Sequence, residues 1–362
     1  MTSLQHSLSS EELGTWAHRP ALPSRRERIG VTEAVVEISA PSPFVDYVRW
    51  YTEGYFASQP PPAQVRLFVH EMPLKRWRAV QQARLAPPLR RAVLPSAPDT
   101  ICFVDDGERA VHLLLPVGLH RHSMLVVVRI LRALVLRELL GRGHPFFHAA
   151  CFAVKGMGVA LLGPRTVGKT TTLLHALDHP EAALVSNDKF ALVPAADSES
   201  MVALGFPIQI GIRAGSVLAL AEGPLRAFLM RRWSQRYGDV EIRYDRDTRL
   251  RVRPQELAAA SDSVVMSRCR LSMAIKPHLD PRAAAPRLER LNSAECQALW
   301  AGSLLRHPSA VFPEQAEVAD PEIRGELLIP QVPAYRLIQP PAAGPLAVRM
   351  LDDLMWRTSG GE

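Results

Sequence analysis

The run Gly163-Pro164-Arg165-Thr166-Val167-Gly168-Lys169-Thr170 constrains this chain more than any other, because it fits G-x-x-x-x-G-K-[ST], the pattern of a loop that wraps phosphate. Its glycines let successive backbone N–H groups turn inward, the lysine reaches β and γ oxygens, and the Thr170 hydroxyl can hold Mg²⁺. A nucleotide is the natural ligand. At this chain's usage of Gly, Lys and Ser/Thr, a chance match has a probability on the order of one in several hundred. Lysine is scarce, with only Lys75, Lys155, Lys169, Lys189 and Lys276 among 43 basic residues, which makes its place in the pattern more telling. The apolar run Val159-Ala160-Leu161-Leu162 before the loop predicts a strand, and residues 170–177 after it predict a helix with Leu173, Leu174 and Leu177 on one face. Strand, loop and helix stand in the order a phosphate loop requires. The expected nucleotide-binding set is therefore Gly163 through Thr170 together with Thr171, with the backbone of Arg165 mattering more than its side chain.

A chain of 362 residues, 47% of them hydrophobic, is expected to be a soluble protein of two or three domains with ample core. Cys102, Cys151, Cys269 and Cys296 lie far apart with no C-x-x-C pair, the usage of reduced, buried thiols. Residues 1–20 lack a basic stretch followed by an apolar one, so no export signal is expected. Residues 124–140 are apolar but interrupted by Arg129, Arg132, Arg137 and Glu138, which predicts a buried amphipathic helix rather than a membrane span. A cytoplasmic protein without a membrane partner is the expectation. The net charge of +7 is carried by scattered arginines, which argues against a nucleic-acid partner. A denser set, Arg226, Arg231, Arg232, Arg236, Arg243, Arg246, Arg249, Arg251 and Arg253, reads either as a solvated face or as a surface for an anionic partner.

Four regions are expected. Residues 1–30, with Pro20, Pro23 and the run Arg25-Arg26-Glu27-Arg28, read as a flexible arm. Residues 31–120 read as a small N-terminal α/β domain, with strands at 33–38, 64–70, 101–105 and 111–117, a helix at 45–56, and loops at Pro60-Pro61-Pro62 and Pro87-Pro88. Residues 121–280 contain the phosphate loop and its supporting elements. Residues 281–362 read as a helical, Pro-rich appendage, with helices near 293–306 and 346–356.

Around the loop, residues 147–154, the turn Lys155-Gly156-Met157-Gly158 and Val159 to Leu162 predict two strands joined by a tight hairpin, which puts His148 at the far end, beside the loop. Ala183-Leu184-Val185-Ser186 predicts a short strand with Asn187-Asp188 at its tip. A carboxylate there can hold Mg²⁺ or take a proton from an attacking hydroxyl; Asn-Asp is also ordinary turn chemistry. Arg213, set among apolar residues in the segment 205–215, can stabilise charge on a phosphoryl group, grip an anionic acceptor, or sit in a buried ion pair. Lys276 and His278 read as structural residues first.

Taken together, His148-Ala149-Ala150, the hairpin, the loop and Leu184-Val185-Ser186-Asn187-Asp188 resemble the HPr kinase family and the HPr-kinase-like proteins often found beside peptide and small-molecule biosynthesis genes. The segment 205–215 resembles the loop that follows in the HPr-kinase-like group, and Cys269 to Lys276-Pro277 resembles their last core strand. The resemblance covers about residues 125–280. It implies an α/β fold with a P-loop kinase core of the HPr kinase/phosphoenolpyruvate carboxykinase type, transferring the γ-phosphoryl group of ATP to a hydroxyl with Mg²⁺. On this sequence it implies Asp188 as general base, Lys169 and Thr170 as phosphate and Mg²⁺ groups, and His148 as a neighbour of the transferred phosphate. The catalytic set is then Asp188, His148 and Arg213, and the metal set Thr170 and Asp188. HPr kinase carries two aspartates where this chain has Asn187-Asp188, which leaves Asp188 either as base or as metal ligand. Residues that would recognise HPr are not identifiable, so the expected acceptor is a peptide or small metabolite. Related kinases form symmetric oligomers, an expectation at family level only. The alternative is a nucleotide-binding switch or assembly module without its own acceptor.

Overall fold

The computed structural model describes residues 24–56, 62–82, 85, 87, 89–92, 94, 100–117, 120–197, 200–238, 248–305, 330–340 and 344–358. These fall into two compact units, with the division after Gly143. Residues 1–23 of the expected arm, most of the two proline clusters, Arg243 and Arg246 lie outside the described residues.

The first unit is a six-stranded sheet with helices. Its elements are β1 (Ser24–Val31), β2 (Ala34–Pro41), α1 (Ser42–Thr52), β3 (Val65–Met72), α2 (Leu74–Gln81), β4 (Leu89–Ala92), β5 (Ile101–Asp105), β6 (Ala110–Pro116) and α3 (His120–Gly141). The strand order is β1-β2-β3-β6-β5-β4, with β2, β3 and β6 parallel and the outer pairs antiparallel. The charged run at 25–28 belongs to β1, where it pairs with β2 through Arg28↔Glu37 and its neighbours. Ion pairs explain why so polar a segment is ordered: Arg25 reaches Glu27 and Asp46 at 2.9 Å, and Arg49 reaches Glu27 at 2.7 Å. Helix α3 buries Val127, Ile130, Leu131, Leu134, Val135 and Leu139, and Glu138 near its end pairs with Arg109 at 2.6 Å. The sequence reading grouped this helix with the residues that follow it; in the structure it packs on α1 and β2. Among the described residues no helix is long and apolar enough to cross a membrane.

The second unit is built on one large mixed sheet. Its elements are β7 (Phe146–Phe147), β8 (Ala150–Val154), β9 (Met157–Leu161), α4 (Lys169–Ala176), β10 (Ala182–Ser186), β11 (Phe190–Pro194), β12 (Met201–Gly205), β13 (Ile210–Arg213), α5 (Ala214–Leu218), α6 (Pro224–Tyr237), β14 (Arg249–Val252), α7 (Pro254–Ala260), β15 (Val264–Val265), β16 (Arg268–Leu279), β17 (Arg287–Arg290), α8 (Ser293–Ser303), β18 (Ala334–Gln339) and α9 (Gly344–Thr358). Strand order is β15-β10-β8-β9-β16-β12-β11-β7, with β18 on the second half of β16 and β17 outside it. β9, β16 and β18 run parallel, and β8 is antiparallel to both β9 and β10. Strands β13 and β14 form a separate antiparallel ladder.

Both faces of the large sheet are covered, so its central strands are apolar without alternation, as expected when neither side meets water. One face packs Phe152, Leu161, Met273, Ile275 and Leu337 against Leu173 and Leu174 of α4 and Leu351 of α9. The other packs Cys151, Ala160, Leu162 and Val185 with Phe147 and Trp300, whose rings meet edge to face at 5.0 Å. None of the four cysteines forms a disulfide among the described residues.

Two local differences from the sequence reading bear on the site. The strand expected over 147–154 is broken at His148: Phe146 and Phe147 pair with β11, and the ladder to β9 begins at Ala150. The His148 N–H instead donates to the Ser303 carbonyl at 2.7 Å. Residues expected in a helical appendage supply β17 and β18, and β18 adds a parallel strand to β16 over Ala274↔Ala334 to Leu279↔Gln339.

Candidate functional site

The loop at 163–168 leaves β9 beside β16, its start fixed by the Leu162 N–H donating to the Ile275 carbonyl at 2.8 Å and the Gly163 N–H donating to Ser303 Oγ at 3.3 Å. Its path needs three left-handed residues, Gly163 (φ 129°), Thr166 (φ 72°) and Gly168 (φ 105°). Gly168 is doubly required, since a Cβ there would also lie 2.8 Å from Leu279 Cγ. Helix α4 starts at once with Lys169, so its unpaired N–H groups face the loop, where anions are favoured.

Lys169 is buried, and its Nζ donates to the carbonyls of Gly163 (2.6 Å) and Pro164 (2.9 Å). Burial pushes its pKa down from the ordinary value, while the Asp188 carboxylate raises it and Arg165 lowers it. The Thr170 hydroxyl donates to Asn187 Oδ1 at 3.2 Å, and Thr171 Oγ1 meets Ser216 Oγ of α5 at 2.9 Å. On the far side of α4, Gln339 Nε2 donates to Thr172 Oγ1 at 3.0 Å.

Asp188 follows the tip of β10. His148 Nε2 donates to its Oδ1 at 3.2 Å, and the Ala149 N–H to its carbonyl at 3.1 Å. The hydrogen bond from His148 holds the Asp188 carboxyl below its ordinary pKa; partial burial works against this, and the charges of His148, Lys189 and Lys169 add to it. Asp188 is accordingly ionised at neutral pH.

These groups meet in a cleft of about 740 Å³ whose walls include His148, Arg165, Thr166, Gly168 to Thr171, Asn187, Asp188 and Arg213. Gly163, Pro164 and Val167 shape the loop behind it, and Lys276 and His278 do not line it. The oxygens of Thr170, Asn187 and Asp188 suit a hard cation, and Mg²⁺ takes few protein ligands because phosphates and waters fill the rest of its shell. No group of three His, Cys, Asp or Glu residues able to hold a metal ion occurs among the described residues. The loop, the buried lysine and these oxygens therefore fit a Mg²⁺-nucleotide.

Sequence reasoning did not single out Gln209, Ser216 and Leu279, which also line the cleft, or Ser303 and Gln339, which brace it from behind; Arg249 and Arg251, named there only within a basic run that reads as a solvated face or a surface for an anionic partner, line it too. The alternation Arg249-Leu250-Arg251-Val252 was a readable signal, with Leu250 and Val252 buried and both arginines exposed. For Ser303 and Gln339 there was none, because their partners lie more than a hundred residues away in sequence.

No protein-family model matches the chain, and no curated protein matches it. Among solved structures, the HPr(Ser) kinase/phosphatase from Coxiella burnetii is similar over 59% of this chain and 99% of that one, at 13% identity and a TM-score of 0.28. At that degree of likeness, the reading of the cleft rests on its own residues.

Proposed function

We propose that this chain is an ATP-dependent kinase that transfers the γ-phosphoryl group to a hydroxyl of a peptide or small metabolite. One observation carries the reading: an ionised carboxylate, Asp188, oriented by His148 at 3.2 Å, shares a cleft with a glycine-bounded loop, the buried cation Lys169 and the hydroxyl of Thr170. A carboxylate so aimed can take the proton of an attacking hydroxyl.

In this reading the loop amides and Lys169 hold the β and γ phosphates, and Thr170 and Asn187 are the residues to hold Mg²⁺, which leaves Asp188 as the base. That ion would neutralise charge that develops as the phosphoryl group moves. The acceptor oxygen bonds to the γ phosphorus as the bond to the β-γ bridging oxygen breaks, ADP leaves, and the hydroxyl proton passes to Asp188. His148 fixes the direction of the carboxylate and holds its pKa down. A base of low pKa suffices, because phosphoryl transfer through a loose transition state depends more on positioning and charge than on proton removal. Asn187 favours a second reading, a nucleotide-driven switch, since Thr170 leans on a neutral amide at 3.2 Å rather than on a second carboxylate.

The test is γ-labelled ATP with Mg²⁺ and a panel of hydroxyl-bearing peptides and metabolites. The parent should transfer label, and Asp188→Asn should lower the rate about 10²- to 10⁴-fold with little change in nucleotide affinity. Lys169→Ala should weaken nucleotide binding about 10- to 100-fold, the worth of a hydrogen bond from a charged group. Equal label transfer by Asp188→Asn sinks the assigned base. ADP release that needs a protein partner but no acceptor favours the switch.

A further inference from the structure

We infer that the β13–β14 ladder carries a seat for an anionic group on the acceptor, formed by Arg213, Arg249 and Arg251; the assignment of that anion to an acceptor rests on the kinase reading above. Among the described residues, the cleft is lined by five basic side chains, Arg165, Lys169, Arg213, Arg249 and Arg251, against the single carboxylate of Asp188. Lys169 and Arg165 belong to the phosphate loop itself. Magnesium takes up part of the triphosphate charge, and the other three arginines stand on a different wall.

Their arrangement is specific. Arg213 faces Arg249 directly across the antiparallel ladder, and Arg251 faces Gly211. All three side chains thus share one face, which opens to the cleft, while Ile212, Leu250 and Val252 on the other face are in the core. Gly211 leaves room above the ladder, and Arg249 Cδ lies 3.7 Å from where a Cβ on that glycine would stand. Like charges placed directly opposite one another destabilise a ladder. None of the three guanidinium groups has a carboxylate partner among the described residues, whereas Arg226, Arg232 and Arg253 nearby are each paired, with Glu222, Glu256 and Glu256 respectively. An anion between the opposed arginines removes the repulsion, and guanidinium forks suit phosphate and carboxylate alike.

The wall is also held in place. Tyr237 of α6 donates its hydroxyl to the Arg249 carbonyl at 2.9 Å, and Ser216, three residues past Arg213, bonds Thr171 next to the phosphate loop at 2.9 Å. A seat tied to α4 in this way keeps an acceptor's anion at a set offset from the γ-phosphate, so the hydroxyl presented to Asp188 belongs to a molecule with a phosphate or carboxylate nearby.

The full chain, saturated with Mg²⁺ and a non-hydrolysable ATP analogue, is titrated by calorimetry with inorganic phosphate and, separately, with succinate. At least one probe should bind, and the one that binds tighter names the anion. The doubly substituted chain Arg249→Gln/Arg251→Gln should lose about tenfold or more of that affinity, with nucleotide affinity within about twofold of the parent. Both changes are at exposed positions, and the thermal midpoint checks that the fold persists. Three results overturn the seat: neither probe binds the loaded parent, the double variant binds it as well as the parent does, or nucleotide affinity falls in parallel. A chain that binds a probe through these arginines but no nucleotide supports the seat and sinks the kinase reading instead.

Discussion

At the scale of single residues, the pair His148–Asp188 makes the strongest demand on experiment. The Asp188 carboxyl has a lower pKa folded than unfolded, chiefly through the hydrogen bond from His148. Its contribution to stability is therefore present above the unfolded value of about 3.9 and is lost as pH falls through the lower folded value. His148→Ala removes the bond, so Asp188 should titrate nearer the ordinary range. The acid limb of the kcat profile should move to higher pH, and acid unfolding followed by circular dichroism should begin earlier. At neutral pH the carboxylate stays ionised but loses its aim, and the rate should fall about 10- to 100-fold. An unmoved acid limb would mean that His148 does not govern this carboxylate. Both residues were legible in the sequence, because each lies within a few residues of a predictable strand. Arg249 and Arg251 were seen only as members of a long basic run, since nothing in that run told which arginines face a cleft and which meet Glu222 or Glu256.

At the scale of elements, β18 is the piece that most changes the picture of the second unit. It extends the parallel set β9–β16–β18, and its Leu337 is fully buried beneath α4 and α9. Leu337→Ala should cost about 2–5 kcal/mol, read as a lower urea midpoint with an unchanged slope. Lys155→Ala, which breaks half-exposed ion pairs to Asp352 at 3.1 Å and Glu181 at 3.8 Å, should cost less than about 1 kcal/mol. Comparable losses for the two would mean that β18 is not part of the core. The hairpin and β10 were readable because their residues are apolar, short and bounded by turn residues. β18 was not, since Pro330, Pro333 and Pro340 frame it so closely that local rules read a broken stretch. Only its distant partner makes those six residues a strand.

At the scale of the molecule, two compact units in one chain should unfold as two cooperative steps. Calorimetry should resolve them. Leu113→Ala, at a fully buried position of β6, should lower one midpoint. A Mg²⁺-ATP analogue at a hundred times its Kd should stabilise the other by about 2.7 kcal/mol, a rise of roughly 5–10 °C for a unit of this size. A single transition moved by both changes would show that the units unfold together. The bond from Gln339 to Thr172 spans 167 residues, and α9 begins where Gly344, lacking a side chain, lies against the His175 ring of α4. During synthesis at about 5–20 residues per second, the helix behind the phosphate loop waits roughly ten to thirty seconds for these partners to emerge. The nascent chain thus passes through an interval in which the loop is already made and the frame behind it is not.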